Sequence, residues 1–423
     1  MNLATHSFRL VCASTLLLAA TPWQAGLAQA NLGDKAQSGT TPARVAVGGV
    51  IPLRAQKAGI GTCLFVPQPG GGFAAVGVKC TGSAAANTQL SASDLVSTQF
   101  PGLEMVKSLA FVKALMLTRH NGWPRGQKID VAFSDKIAAP DVPATTFASA
   151  LLVDSMILGY EIDPGLVAIG GFTPEGELGP VVGTATRLIA ALRSGATRII
   201  ITDKSVPQVA DAMLSEGLAA FAKAQIFSVS EFGEAPDFAP TKPDAKIERG
   251  MTVFGRVQLL FAEAGKNPKA ALADERMKAA LREVLIESPG HLTARLLLGH
   301  GSGQFQSFSL AGSLEIAESR APMIMRAVRS TAPAIVGGLP PDRVPDEIAK
   351  LKAMREMIDD SATPWLDGVI HYGELAQKWL STPARAPVQT AQLLSELKAA
   401  AGVVQTEWPK LITLRDAPKN GSR

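Results

Sequence analysis

Residues 141–204 read DVPATTFASALLVDSMILGYEIDPGLVAIGGFTPEGELGPVVGTATRLIAALRSGATRIIITDK. An apolar run with helical character fills 147–158 and stops at Gly159. The short strand Leu166-Val167-Ala168-Ile169 comes next and leads into a glycine-rich turn from Gly170 to Pro180. A second helix carries Arg187-Leu188-Ile189-Ala190-Ala191-Leu192-Arg193 and stops at Ser194-Gly195. Arg198-Ile199-Ile200-Ile201 is the closing strand. Helices alternating with short apolar strands predict an α/β layer structure.

The same stretch resembles the proteolytic domain of Lon proteases, the Ser-Lys peptidases of family S16. In that family a D-G-P-S-A-G segment at a helix start holds the nucleophile. A G-E-[IV] turn and a G-x-[IV]-x-P-[IV]-G-G segment follow. Next come the helix with the general-base Lys and an A-A-x-x-x-G-[IV]-x-x-[IV]-[IV]-[IV]-P segment. Asp141, Pro143, Gly159, Gly170, Gly176, Pro180, Gly183, Ala190, Ala191 and Gly195 fall in matching register, with no gap between the two catalytic positions.

The resemblance fails at the two chemical residues. The nucleophile position is Ala144 and the base position is Arg187. A methyl group cannot attack a carbonyl. A guanidinium stays protonated and has no acceptor lone pair, so it cannot take a proton from a hydroxyl. Both halves of the nucleophile–base pair are missing. Thr145 and Ser149 are the candidate displaced nucleophiles, and Lys204 is the nearest lysine in sequence that could approach them. Arg187 has two readings. It is a salt-bridge residue at a helix start, or it lines the old cleft with Asp141, Gly170 and Gly171 and binds a partner's carboxylate or carbonyl. On the second reading, Arg187→Ala weakens peptide binding without unfolding the protein.

The resemblance extends more weakly over residues 45–234. Val47-Gly48-Gly49-Val50-Ile51-Pro52-Leu53 is similar to the family's first strand, and the segments around Cys63 and Cys80 to a hairpin of its second and third. Residues 103–119 carry Met105, Leu109, Val112, Leu115 and Met116 at helical spacing. Ile129-Asp130-Val131-Ala132-Phe133 leads towards the nucleophile position; where the family often has histidines, Asp130 and Ala132 stand. Residues 209–223 read as helix and Gln225-Ile226-Phe227-Ser228-Val229 as strand. Pro236, Pro240 and Pro243 mark a linker at 235–245.

Residues 246–423 predict an all-α domain, with helices over 253–264, 269–287, 291–298, 308–328, 346–358, 363–380 and 388–403. The pair around Met277 to Leu298 is weakly similar to a tetratricopeptide pair, without a second copy at that period. Lys419 to Arg423 reads as a loose tail.

The chain of 423 residues is 47% hydrophobic and 18% charged, enough apolar content for a sizeable core. A net charge of +4 with 5% aromatics gives no basis for nucleic-acid binding. No G-x-x-x-x-G-K-[ST] segment occurs, so no ATP module is predicted. Gly70-Gly71-Gly72 reads as a hairpin turn and Gly301-Ser302-Gly303 as a turn between helices. His120, His291, His300 and His371 are scattered, and neither a metal site nor a cofactor is predicted.

Arg9, the apolar run from Leu10 to Ala20, Pro22 and Ala28-Gln29-Ala30 predict a secretory signal over 1–30. An uncleaved N-terminal anchor is the alternative. A leader over 31–44 follows, and the expected location is periplasmic or secreted after cleavage near Ala30. Cys12 lies in the signal. In an oxidising compartment, Cys63 and Cys80 predict a cross-strand disulfide, with two free buried thiols as the alternative.

These readings converge on an exported pseudoprotease that binds a polypeptide partner or acts as a scaffold. The alternative is an active S16-like serine or threonine endopeptidase with a displaced nucleophile. The resemblance also implies self-association, since Lon-type domains commonly form rings.

Overall fold

A computed structural model of the protein describes residues 49–67, 73–86, 94–173, 175–265, 267–330, 336–382 and 386–416. The signal and leader, the glycines at 70–72 and the tail at 419–423 lie outside the described residues.

The architecture is α/β: a mixed seven-stranded sheet with helices on both faces, followed by a helical C-terminal region. The strands used below are β1 (Gly49–Val50), β2 (Lys57–Pro67), β3 (Phe73–Ala86), β4 (Leu95–Val96), β5 (Gly122–Trp123), β6 (Gln127–Phe133), β7 (Leu166–Ile169), β8 (Gly171–Phe172), β9 (Leu178–Gly179), β10 (Arg198–Thr202) and β11 (Gln225–Val229). The sheet order is β11-β10-β7-β2-β3-β6-β4. β11, β10, β7 and β2 are parallel, and β3 is antiparallel to both β2 and β6. The parallel strands β7 and β10 are buried at every residue, as expected where helices cover both faces. β6 instead alternates, with Ile129, Val131 and Phe133 inside.

Helices α1 (Leu103–His120) and α2 (Thr146–Leu158) pack on one face of the sheet; α3 (Thr184–Arg193) and α4 (Val206–Glu216) pack on the other. α2 is buried over nearly its whole surface, and Gly159 ends it at φ 79°. That left-handed turn suits glycine. α5 (Leu218–Phe221) and α6 (Ala235–Phe238) complete this half. Of the first predicted strand, the described residues keep β1, which pairs with β5; 51–53 are not strand.

The helical region contains α7 (Ala245–Ala264), α8 (Pro268–Ala273), α9 (Glu275–Glu287), α10 (Leu292–Gly301), α11 (Leu310–Arg320), α12 (Pro322–Arg329), α13 (Val344–Met354), α14 (Thr363–Ser381) and α15 (Pro387–Asp416). Three predicted helices are broken. Gly217, with φ 84° and ψ 153°, separates α4 from α5. The Asp274 carboxylate accepts from Arg276 N and starts α9 afresh. Pro322 cannot continue α11 and opens α12.

The helical region docks intimately on the sheet. Phe254 and Val257 of α7 share a core with Phe221 and Ile226. The outer edge of β11 is closed by Gly290 and the first turn of α10: Ile226 N donates to Thr293 Oγ1 at 2.8 Å, and Ser228 N to the Gly290 carbonyl at 2.9 Å. The proline-marked stretch at 235–245 is packed too. Arg198 Nη1 donates to the carbonyls of Phe238 and Pro240, and Pro240 bridges to Ile162.

The predicted disulfide is absent, and both cysteines are free and buried. The register explains this. β3 places Gly77 opposite Cys63 and Cys80 opposite Ile60. Cys63 is therefore three residues out of step with Cys80, and an odd offset puts the two side chains on opposite faces of the sheet. Cys80 belongs to the core under α2, Cys63 to the core under α3.

Candidate functional site

The residues singled out from the sequence meet at the carboxyl ends of β2 and β7. The chain runs from β7 to β10 on one side, while β2 lies on the other. In open α/β sheets such a divergence is where a ligand crevice forms. The 3-10 helix Ala139–Thr145 crosses this end of the sheet and delivers the chain into α2. Pro140 and Pro143 favour the tight turn and keep α2 from starting earlier. The β8–β9 hairpin lies against it. A Cβ on Gly171 would stand 3.2 Å from the Pro143 carbonyl oxygen, and one on Gly170 would stand 2.7 Å from Thr202 Cγ2. The two glycines thus let the hairpin close on the Pro143 backbone and on the Thr202 side chain.

Arg187 and Asp141 form a buried ion pair at the centre. Arg187 Nη2 donates to Asp141 Oδ1, and Nη1 to Asp141 Oδ2 at 3.0 Å. Nη1 also donates to the Cys63 carbonyl at 2.7 Å, and Nε to the Val182 carbonyl at 2.9 Å. The guanidinium carbon stands 4.5 Å from the Phe65 ring centroid. Asp141 Oδ2 accepts a further bond from Phe65 N at 2.6 Å. Arg187 is 1% exposed. The carboxylate and carbonyls it binds are the chain's own, and it ties β2, the 3-10 helix and α3 together. Truncating it is therefore a perturbation of stability, as the salt-bridge reading of Arg187 implies, and not the fold-neutral change of the ligand-binding reading.

Ala144 is buried in the 3-10 helix. Thr145 and Ser149 are fully buried. The Thr145 hydroxyl donates to the Val142 carbonyl at 2.7 Å, and Ser149 Oγ lies 4.0 Å from Cys80 Sγ. Lys204 Nζ bonds to Glu177 Oε2 at 2.7 Å instead of approaching Thr145. Burial pushes the Cys63 thiol up to about 12, against the pull of Arg187; it pushes Cys80 to about 12 as well. Neither is a thiolate nucleophile at neutral pH.

Sequence reasoning missed the contribution of α11. Glu315 Oε1 accepts from Thr186 N at 2.6 Å, in the first turn of α3 and beside Arg187. Burial holds the Glu315 carboxyl above the usual carboxylate range. Reciprocally, the buried Asp211 of α4 accepts from Ser309 N at 2.7 Å and from Ser309 Oγ at 2.6 Å, at the start of α11. Gly312 admits this contact, since a Cβ there would stand 2.1 Å from Asp211 Oδ2. The partners lie 129 and 98 residues apart, beyond any local sequence signal.

A cleft of about 430 Å³ opens nearby, lined by Glu177, Leu178, Lys204, Ser230, Glu231 and Phe232 among others. Its ion pair, Lys204–Glu177, is solvent-exposed and contributes little to stability. At the far end of α2 the buried Asp154 collects Arg119, His120 and Tyr160 within 3.2 Å. Burial and the Asp154 charge raise the Tyr160 phenol, a pattern of internal bracing.

In comparisons with known proteins, no family model and no curated protein matches the chain.

Proposed function

We propose that the protein is a catalytically inactive relative of the Lon-type proteolytic fold, exported from the cytoplasm, that binds polypeptide. One observation carries the inactive half of this reading. At the two positions where the family resemblance expects nucleophile and base, Ala144 has no reactive group, and the guanidinium of Arg187 is committed to Asp141, Cys63 and Val182. Burial of Thr145 and Ser149 speaks against a displaced nucleophile. Polypeptide is the ligand class because apolar side chains gather at the carboxyl ends of β2 and β7. Pro143 is exposed, Val182 is 66% exposed, and Phe65 is half-buried against the Arg187 guanidinium. The helical region, with its weakly tetratricopeptide-like pair near α9 and α10, supplies a second surface for a partner or for self-association. ATP and nucleic acid have no role in this reading.

The test is binding of an unstructured polypeptide. Fluorescein-labelled casein, titrated with the purified protein, should gain anisotropy saturably, and Val182→Asp should weaken that binding. Absence of saturable binding sinks the polypeptide reading.

A further inference from the structure

Among the described residues, the β3 strand carries an unpaired edge beside the site. Ser134 fixes which way its backbone groups point. Lys79 N donates to Ser134 Oγ at 2.9 Å, and Ser134 N donates to the Lys79 carbonyl at 2.9 Å. On the other side, Ala84 N donates to the Gln56 carbonyl at 2.8 Å. Odd-numbered residues of β3 therefore point towards β6, and even-numbered ones towards β2. But β6 pairs only with residues 80–86 of β3, and at Ser134 the chain leaves the sheet for the 3-10 helix. The N–H and C=O groups of Phe73, Ala75 and Gly77 face outward with no protein partner among the described residues.

Natural edges of this kind are blunted by charge, proline or a bulge. Here Phe73-Ala74-Ala75-Val76-Gly77-Val78 has neither charge nor proline, and its pairing with β2 runs without a bulge from Lys57↔Ser83 to Pro67↔Phe73. One side is an apolar platform. Phe73, 61% exposed, pairs with Pro67, and Ala75 pairs with Phe65. The platform ends at Gly77, where a Cβ would stand 3.3 Å from Ser194 Oγ.

We infer that residues 73–77 of β3 are a docking edge for an extended polypeptide segment, which adds to the sheet as a new strand. The unpaired backbone groups, spaced two residues apart, match the backbone of an extended chain. The platform selects a segment with an apolar side chain on the Phe73 and Phe65 side. This inference deepens the polypeptide reading above and rests on it.

Hydrogen exchange on the wild-type protein, with and without excess casein, tests it directly. The amides of Ala75 and Gly77 should slow at least tenfold when casein is bound. Ala75→Pro removes one outward N–H without touching the β2 ladder, and it should weaken casein binding at least tenfold while the thermal melt stays cooperative. If casein binds and the two amides are unchanged, the docking edge is wrong while the polypeptide reading stands. If casein does not bind at all, both fail. If the amides become protected in the protein alone as its concentration rises, with a dimer in light scattering, the edge pairs with a second copy and the inference is overturned.

Discussion

Replacing Arg187 with Ala is the perturbation whose size follows most directly from the geometry. The side chain is 1% exposed and makes bonds to Asp141, the Cys63 carbonyl and the Val182 carbonyl. Its removal leaves the Asp141 carboxylate buried with only Phe65 N as partner. Breaking a buried pair by removing one member costs about 3–5 kcal/mol, which in a chain of this size lowers the melting temperature by about 4–6 °C. Lysine in its place keeps the charge but loses the fork that reaches all three acceptors, so Arg187→Lys should fall between wild type and Arg187→Ala. The assay is thermal and urea unfolding of Arg187→Ala, Asp141→Ala and the double variant. Because the stranded partner is removed too, the double variant should lose less stability than the two singles summed, by about 1–3 kcal/mol. An Arg187→Ala melt within 1–2 °C of wild type, on the order of 1 kcal/mol or less, would refute the assignment of Arg187 as an internal brace.

Other expectations are checked with the same preparations. His291 is buried, its Nδ1 accepts from Ala294 N, and burial pulls it down to about 3 from 6.5. For a base held neutral by the fold, the contribution is complete above pH 6.5 and is lost as pH falls towards 3. His291→Asn, which can still cap α10, should therefore flatten the stability profile across that window in pH-dependent melts. Glu315 has the opposite sign: its carboxyl is raised from 4.5 by burial, so its charging opposes folding as pH rises. Relative to wild type, Glu315→Gln should gain stability on going from acid to neutral pH, measured by urea midpoints. Gly312→Ala should cost about 1–3 kcal/mol, read from the same midpoints, because the new methyl group collides with Asp211. Thiol titration should find Cys63 and Cys80 unreactive in the folded protein and reactive once urea unfolds it.

The parts legible in the sequence are those whose cause is local. β7 and β11 have the bounds their composition predicted. α2 and α3 stop where glycine or Ser194-Gly195 allows the chain to turn. That Ala144 and Arg187 offer neither a nucleophile nor a base is likewise written in single residues. What could not be read depends on registration across space. The disulfide expectation failed on the parity of a hairpin register, and no property of Cys63 or Cys80 alone encodes that. Both readings of Arg187 fitted a helix start; only the arrival of Asp141 from the 3-10 helix decides between them. The docking of α11 through Glu315 and Asp211 joins residues about a hundred positions apart, and Gly312 looked like an ordinary helix residue until its neighbour was seen.

The central claim is that this fold holds no working hydrolytic centre. The measurement that meets it most directly is mass spectrometry of unlabelled casein after prolonged incubation with the purified protein, alongside labelling by a fluorophosphonate probe. The account predicts intact casein and no labelled residue. Cleavage products that vanish in Thr145→Ala or Ser149→Ala would contradict it, because a nucleophile buried in this structure would then be doing chemistry.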